Sequence, residues 1–117
     1  MHYVDGFVAA VPDGNREAYR AHAQTAAAVF REHGALQVVE CWGDDVPDGK
    51  LTSFPMAVKC QPGETVVFSW ILWPSREVRN AAWEKARTDP RFADGAMEMP
   101  FDGKRLIYGG FRMILDA

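Results

Sequence analysis

Apolar and polar residues alternate through the first segment, "HYVDGFVAAV" at 2–11, which places Tyr3, Asp5, Phe7 and Ala9 on one side and Val4, Gly6, Val8 and Ala10 on the other. A period of two predicts a strand. Pro12 lacks a backbone donor and ends it, and Asp13, Gly14 and Asn15 supply turn and helix-start chemistry. The period then changes. Over 15–33 Tyr19, Ala23, Ala26, Ala27 and Phe30 fall on one helical stripe, and Gly34 stands where a C-terminal glycine belongs. Alternation returns at 35–43, with Leu36, Val38, Glu40 and Trp42 on one side and Gln37, Val39 and Cys41 on the other. "ETVVFSWILW" at 64–73 is apolar on both sides and rich in β-branched and aromatic residues, which predicts a central strand covered on both faces. A second helix is expected over 75–88, with Ser75 as N-cap, a buried stripe of Val78, Ala82 and Ala86, and Asp89-Pro90 as its stop. A last strand is expected over 104–115.

The connections are uneven. "GDDVPDGK" at 43–50 reads as a polar turn, while "LTSFPMAVKC" at 51–60 suits either a short helical turn opened by Ser53 and Pro55 or a strand extension, the former preferred. The order strand, helix, strand, strand, helix, strand predicts an α+β, ferredoxin-like fold in a single domain, 1–117. It has a four-stranded antiparallel sheet with both helices on one face. The face without helices is expected to carry Phe7, Val38, Trp42, Val67, Ile71 and Trp73. An apolar face of that size calls for a cover, and a second copy related by two-fold symmetry supplies one. A homodimer with Trp42 and Trp73 at its interface is therefore expected.

Composition narrows the function classes. At 117 residues with 48% hydrophobic residues and four tryptophans, the chain can build one substantial core. It has no run of ~18 apolar residues and no basic segment ahead of an apolar N-terminal stretch, so neither a membrane span nor a signal peptide is expected. A cytoplasmic location, with no membrane partner, follows as an expectation. Cys41 and Cys60 have no metal or redox spacing and read as free thiols in a reducing compartment. The net charge is -3, from 13 basic and 16 acidic residues without a basic stripe, so no nucleic-acid partner is expected. His2, His22 and His33 lack metal-ligand spacing, and Asp44, Asp45 and Asp48 fall short of a calcium loop. Neither a metal nor a cofactor is expected.

The informative residues are polar ones on apolar strand faces: Asp5, Glu40, Ser69 and Arg105, one from each expected strand. Burying a lone carboxylate is costly, so Asp5 and Glu40 need a partner or a shifted pKa, and Arg105 is the expected partner. Two readings stand. One is an ion-pair network that fixes the register of a dimer. The other is a catalytic cleft in which Glu40 or Asp5 accepts a proton while Arg105 holds an anionic oxygen, with Trp42, Ser69 and Tyr108 touching the ligand. In "MPFDGKRLIYGGF" at 99–111, Pro100 and Asp102-Gly103 set a turn, and Gly109-Gly110 leave a gap for close packing, a bulge or a ligand.

The segments "YVDGFV", "HGAL", "VECWGDDVPDGK", "TSFPMAVK", "ETVVFSWI", "PSREVR" and "MPFDGKRLIYGGF" resemble the small bacterial YbaA-like family of unknown function, in one register over essentially the whole chain. The resemblance implies the dimeric α/β-barrel superfamily. It brings no catalytic residues, because the family has no established activity. The superfamily includes cofactor-free monooxygenases, lactone isomerases and haem-binding proteins, which use the layer between sheet and helices or the barrel interior. A mechanism taken from them would be analogy of fold alone. The expected function is a small-molecule binding or catalytic cleft in a homodimer. The alternative is a non-catalytic structural or regulatory dimeric module.

Overall fold

The computed structural model describes residues 2–92 and 99–117. Strand β1 (Tyr3–Pro12) runs through a 3-10 turn (Asp13–Asn15) into helix α1 (Arg16–Glu32), followed by β2 (Gln37–Trp42), a short α2 (Phe54–Ala57), β3 (Glu64–Trp73) and α3 (Arg76–Ala86). Further 3-10 turns at Pro90–Phe92 and Gly103–Arg105 precede β4 (Ile107–Arg112). The strands form one sheet in the order β2-β3-β1-β4, and every neighbouring pair is antiparallel. β1 and β3 are central and pair from Tyr3↔Trp73 to Pro12↔Glu64.

Local chemistry accounts for most boundaries. Ser75 Oγ accepts from the Val78 N–H at 3.2 Å and opens α3 as its N-cap. Ser53 Oγ does the same for Met56 at 3.1 Å, so the ambiguous 51–60 segment contains a helical turn, as the Ser-Phe-Pro start favoured. β4 begins later than its alternation suggested. The Asp102 carboxylate accepts from the Lys104 N–H at 3.0 Å and folds Gly103–Arg105 into a turn instead of a strand. Gly34 takes φ +110°, and a Cβ there would lie 2.8 Å from Val78 Cγ1, so glycine serves both the end of α1 and the approach of α3.

Both long helices cover the same face of the sheet. Val29 and Phe30 of α1 and Ala82 and Ala86 of α3 pack on Tyr3, Ile71 and Trp73. Tyr19 and Ala23 pack on Ala9, Val11 and Val67. This reverses the expected assignment of the faces. The residues that alternation grouped together do share a face, but it is the helix-covered one: Trp73 is 0% exposed, with the Phe30 ring edge-on at 6.0 Å. Trp73 is therefore a core residue and not an interface residue, and Trp42 is half-buried beside α1. The physical reason is that both faces of the central strands are apolar, so alternation sorts residues into two sets without saying which set the helices take. The face without the long helices carries Val4, Phe68, Trp70 and Phe111, with Phe68 43% and Phe111 61% exposed. One end of it is covered, because Val58 packs on Val8, Ala10 and Val66.

Candidate functional site

Two elements set the site. The α1 stripe turns Tyr19 down onto the sheet, and the β2–β3 register puts Glu40 directly opposite Ser69. The Tyr19 hydroxyl donates to Glu40 Oε1 at 2.5 Å. Tyr19 and Ser69 are buried, while Glu40, on an edge strand, is an exposed residue whose carboxyl is turned onto Tyr19. Loss of water around the carboxyl raises the Glu40 pKa, and hydrogen bonds from Tyr19 and Ser69 oppose that rise without cancelling it. Burial raises the Tyr19 pKa, and the neighbouring Glu40 charge raises it further, so Tyr19 remains a hydroxyl donor.

The described residues leave a cavity of about 310 Å³ between sheet and helices, walled by Phe7, Phe30, Ile71, Trp83, Phe101 and Leu106. Its polar groups are Tyr19, Glu40, Ser69 and His22. His22 lies three residues beyond Tyr19 on α1, edge-on to Phe101. Among the described residues nothing hydrogen-bonds its buried Nδ1, and burial lowers its pKa toward the neutral ring. A second depression, a groove of about 410 Å³, lies on the outer side of Tyr19 and Glu40, against Arg16, Arg20 and Trp42.

The expected quartet does not assemble. Asp5, with a side chain only 4% exposed, pairs with Arg79 of α3, whose Nη2 reaches Oδ1 at 2.7 Å. The indole N–H groups of Trp73 and Trp83 both donate to Asp5 Oδ2 at 2.9 Å. Arg105 instead grips Glu64 through two parallel bonds of 2.7 and 2.8 Å, and also bonds Asp102 and the Lys59 carbonyl. It sits in the 3-10 turn before β4, which carries it to the start of β3 and away from Asp5 and Glu40. The expected ion pair of Arg105 with either carboxylate is thus overturned. Arg105 holds the Glu64 carboxyl below its usual range.

Ser69, expected as a ligand-binding residue, lies opposite Glu40 in the β2–β3 register. Trp42 borders the outer groove, and the Arg16 guanidinium lies 5.3 Å from its ring centre. Tyr108 is 74% exposed and stacks on Phe7, next to a separate depression that includes Asp5 and Arg79. The glycine gap is filled by packing: a Cβ on Gly110 would lie 2.8 Å from the Tyr3 ring and 3.0 Å from Arg79 Nη2. Cys41 and Cys60 are free; Cys41 is exposed, and Cys60 packs on the Val58 cluster. Among the described residues no cluster of three metal-ligating side chains occurs, and no helix is long and apolar enough to cross a membrane.

Sequence reasoning missed Tyr19, His22 and Arg79 as site residues. Tyr19 sits on a stripe that the pattern assigns to the core, and the signal that distinguishes it is the spacing of 19 and 22, which sets a phenol and an imidazole on one helical side above Glu40.

Residues 2–103 match the family described as "Protein of unknown function (DUF1428)". The chain belongs to the DUF1428 family. It is 60% identical over 116 residues to the "Uncharacterized protein YbaA" of Escherichia coli (strain K12), covering 99% of each chain. Proteins of the same description from Escherichia coli O157:H7 and Shigella flexneri match at the same identity and coverage. The YbaA-like resemblance read from the segments is therefore correct. The DUF1428 match includes Tyr19, His22, Glu40 and Ser69, whereas β4 lies beyond its end.

Proposed function

We propose that this DUF1428 protein binds a small, predominantly apolar molecule in the cavity between sheet and helices, and that Glu40 exchanges a proton with it. The observation that carries the reading is the Glu40 carboxyl, hydrogen-bonded by Tyr19 at 2.5 Å and open to an aromatic-walled cavity of about 310 Å³. A carboxyl with a raised pKa and fixed hydrogen-bond partners suits general acid–base work at a carbon or oxygen acid. Neutral His22 offers a second polar contact for orienting the ligand. Asp5, by contrast, has its acceptors taken up by Arg79, Trp73 and Trp83, which supports a structural role.

The test is a carboxyl-carbon NMR titration combined with a fragment screen read by chemical shifts. Glu40 is expected to titrate above the usual carboxylate range, and bound fragments to perturb Ser69, Ala23 and Phe101. Fragments that bind elsewhere, with Glu40 titrating at the ordinary ~4.3, would overturn the reading.

We also propose a ferredoxin-like arrangement and a homodimer closed over the face without the long helices, giving a dimeric α/β-barrel. The strand order supports the first, since β1 and β3 are central and each β-α-β half brackets a helix on the same face. The exposed apolar face supports the second. Four strands of six to ten residues, at ~4.8 Å spacing and ~3.3 Å rise, make a face of roughly 500 Å² per copy; less the end that Val58 covers, this is below half the ~1,000 Å² total of a specific interface, so the contact would extend to residues flanking the sheet. The two free thiols suit a reducing cytoplasm. Sedimentation should give a dimer at micromolar concentration that Phe68→Glu splits; a wild-type monomer would overturn the assembly.

A further inference from the structure

Two adjoining spaces meet at the Tyr19–Glu40 pair. The inner cavity and the outer groove have Tyr19, Ala23, Val38 and Glu40 in both linings. The two spaces differ in chemistry. The inner one is aromatic, and the outer one is bordered by Arg16, Arg20 and Gln24 of α1 and Trp42 of β2. Positions 16, 20 and 24 recur at four-residue spacing, so they form a row on α1 beside the buried row of Tyr19 and Ala23.

Arg16 and Arg20 are uncommitted. Among the described residues neither makes a salt bridge, as is also true of Arg31, Arg76 and Arg112, while Arg79, Arg87, Arg91 and Arg105 do. Arg16 is steadied over the Trp42 ring at 5.3 Å, which lowers the entropy lost when it takes a ligand. In a chain of net charge -3, Arg16 and Arg20 set two guanidiniums without a carboxylate partner beside one groove, whose lining also includes Glu40 and Gln24. We propose that the ligand is an amphipathic anion, with its aromatic or apolar body in the inner cavity and a carboxylate or similar oxyanion held in the outer groove by Arg16 and Arg20. This rests on the small-molecule reading of the Glu40 cavity and adds the ligand's charge and its orientation along the two adjoining spaces. Guanidinium forks match planar oxyanions through paired hydrogen bonds, which a lysine in the same place would not reproduce.

Two fluorescent probes with the same ring body separate the contributions: 8-anilinonaphthalene-1-sulfonate and the uncharged N-phenyl-1-naphthylamine. Wild-type protein is expected to bind the sulfonate about tenfold more tightly at low salt, the worth of one charged hydrogen bond, and less so as salt rises. The double variant Arg16→Gln/Arg20→Gln should lose that preference and keep its affinity for the neutral probe. Chemical shifts of Ala23 and of the Trp42 indole in the wild type locate the bound sulfonate independently of any variant. Ala23→Phe, which fills the shared wall, should exclude both probes. Equal binding of the two probes at this wall, or a preference that survives the double arginine variant, overturns the anion proposal alone. Failure of both probes to bind, or binding that leaves Ala23 and Trp42 unperturbed, overturns the small-molecule reading beneath it.

Discussion

Replacing Asp5 by Ala removes one acceptor from three donors. Its carboxylate takes bonds from Trp73 Nε1 and Trp83 Nε1 at 2.9 Å and from Arg79 at 2.7 to 3.1 Å. Trp73 is 0% exposed, so its indole N–H loses its acceptor inside the core, and an unsatisfied buried donor costs ~1–3 kcal/mol. Breaking a buried ion pair from one side costs ~3–5 kcal/mol in all. The Arg79 side chain, 23% exposed, can turn toward solvent and brings the expected loss to the lower half of that range, about 3–4 kcal/mol. Against a typical total of ~5–15 kcal/mol this is a severe change, and at ~4 °C per kcal/mol it lowers Tm by about 12–16 °C. Urea unfolding followed by tryptophan fluorescence and far-ultraviolet circular dichroism measures it, provided the slope with denaturant is unchanged. Arg79→Met should also destabilise, and the double variant should lose less than the sum of the singles, because both act on one interaction. A loss below ~1 kcal/mol for Asp5→Ala would refute the reasoning. Unchanged stability with lost ligand binding would return Asp5 to the functional site.

Two further outcomes follow from the geometry. Glu40 has a folded-state pKa raised above 4.5, so between the unfolded and folded values the native state holds a proton that the unfolded chain has lost. Its contribution therefore favours folding at acid pH and is lost as pH rises through that window. Glu40→Gln should remove this fall from the stability–pH profile, and a wild-type profile that gains on the variant with rising pH would contradict it. Gly34→Ala forces a Cβ against Val78 Cγ1 at a φ of +110° and should cost about 1–3 kcal/mol in thermal or urea unfolding; a neutral result would mean that α3 does not depend on that approach.

Much of the fold was legible because its signals are local. The 64–73 strand was placed at its observed ends by its β-branched and aromatic run, and Ser75 was identified as an N-cap by residue type alone. The side of the sheet that the helices cover was not legible, because Phe7, Ile71 and Trp73 on one face look no more apolar than Val66, Phe68 and Trp70 on the other. The site was half legible. Glu40 and Ser69 stood out as polar interruptions in apolar strands, and their register makes them neighbours. Their helical partner did not stand out, since a tyrosine on a buried stripe is ordinary core material until its hydroxyl finds an acceptor. Arg105 misled because a charged residue at the start of an apolar run reads as part of the strand, whereas the Asp102 turn takes it out of the sheet. Arg79 was hidden within a helix whose other residues gave no reason to aim a guanidinium at the sheet.

The position of β2 at the edge of the sheet has a consequence for motion. Glu40 and Trp42 are held by β3 on one side only, and the opposite row of backbone groups has no strand beside it among the described residues. The β1–β3 pair, ten residues long and central, holds the Asp5 network instead. Local opening draws on the least-bonded elements first. The amides of β2 should thus exchange with solvent well before those of β1 and β3, and a ligand lying across the Tyr19–Glu40 wall should slow β2 most. Site and scaffold occupy different strands, so the compartment can open and close while the middle of the sheet stays shut.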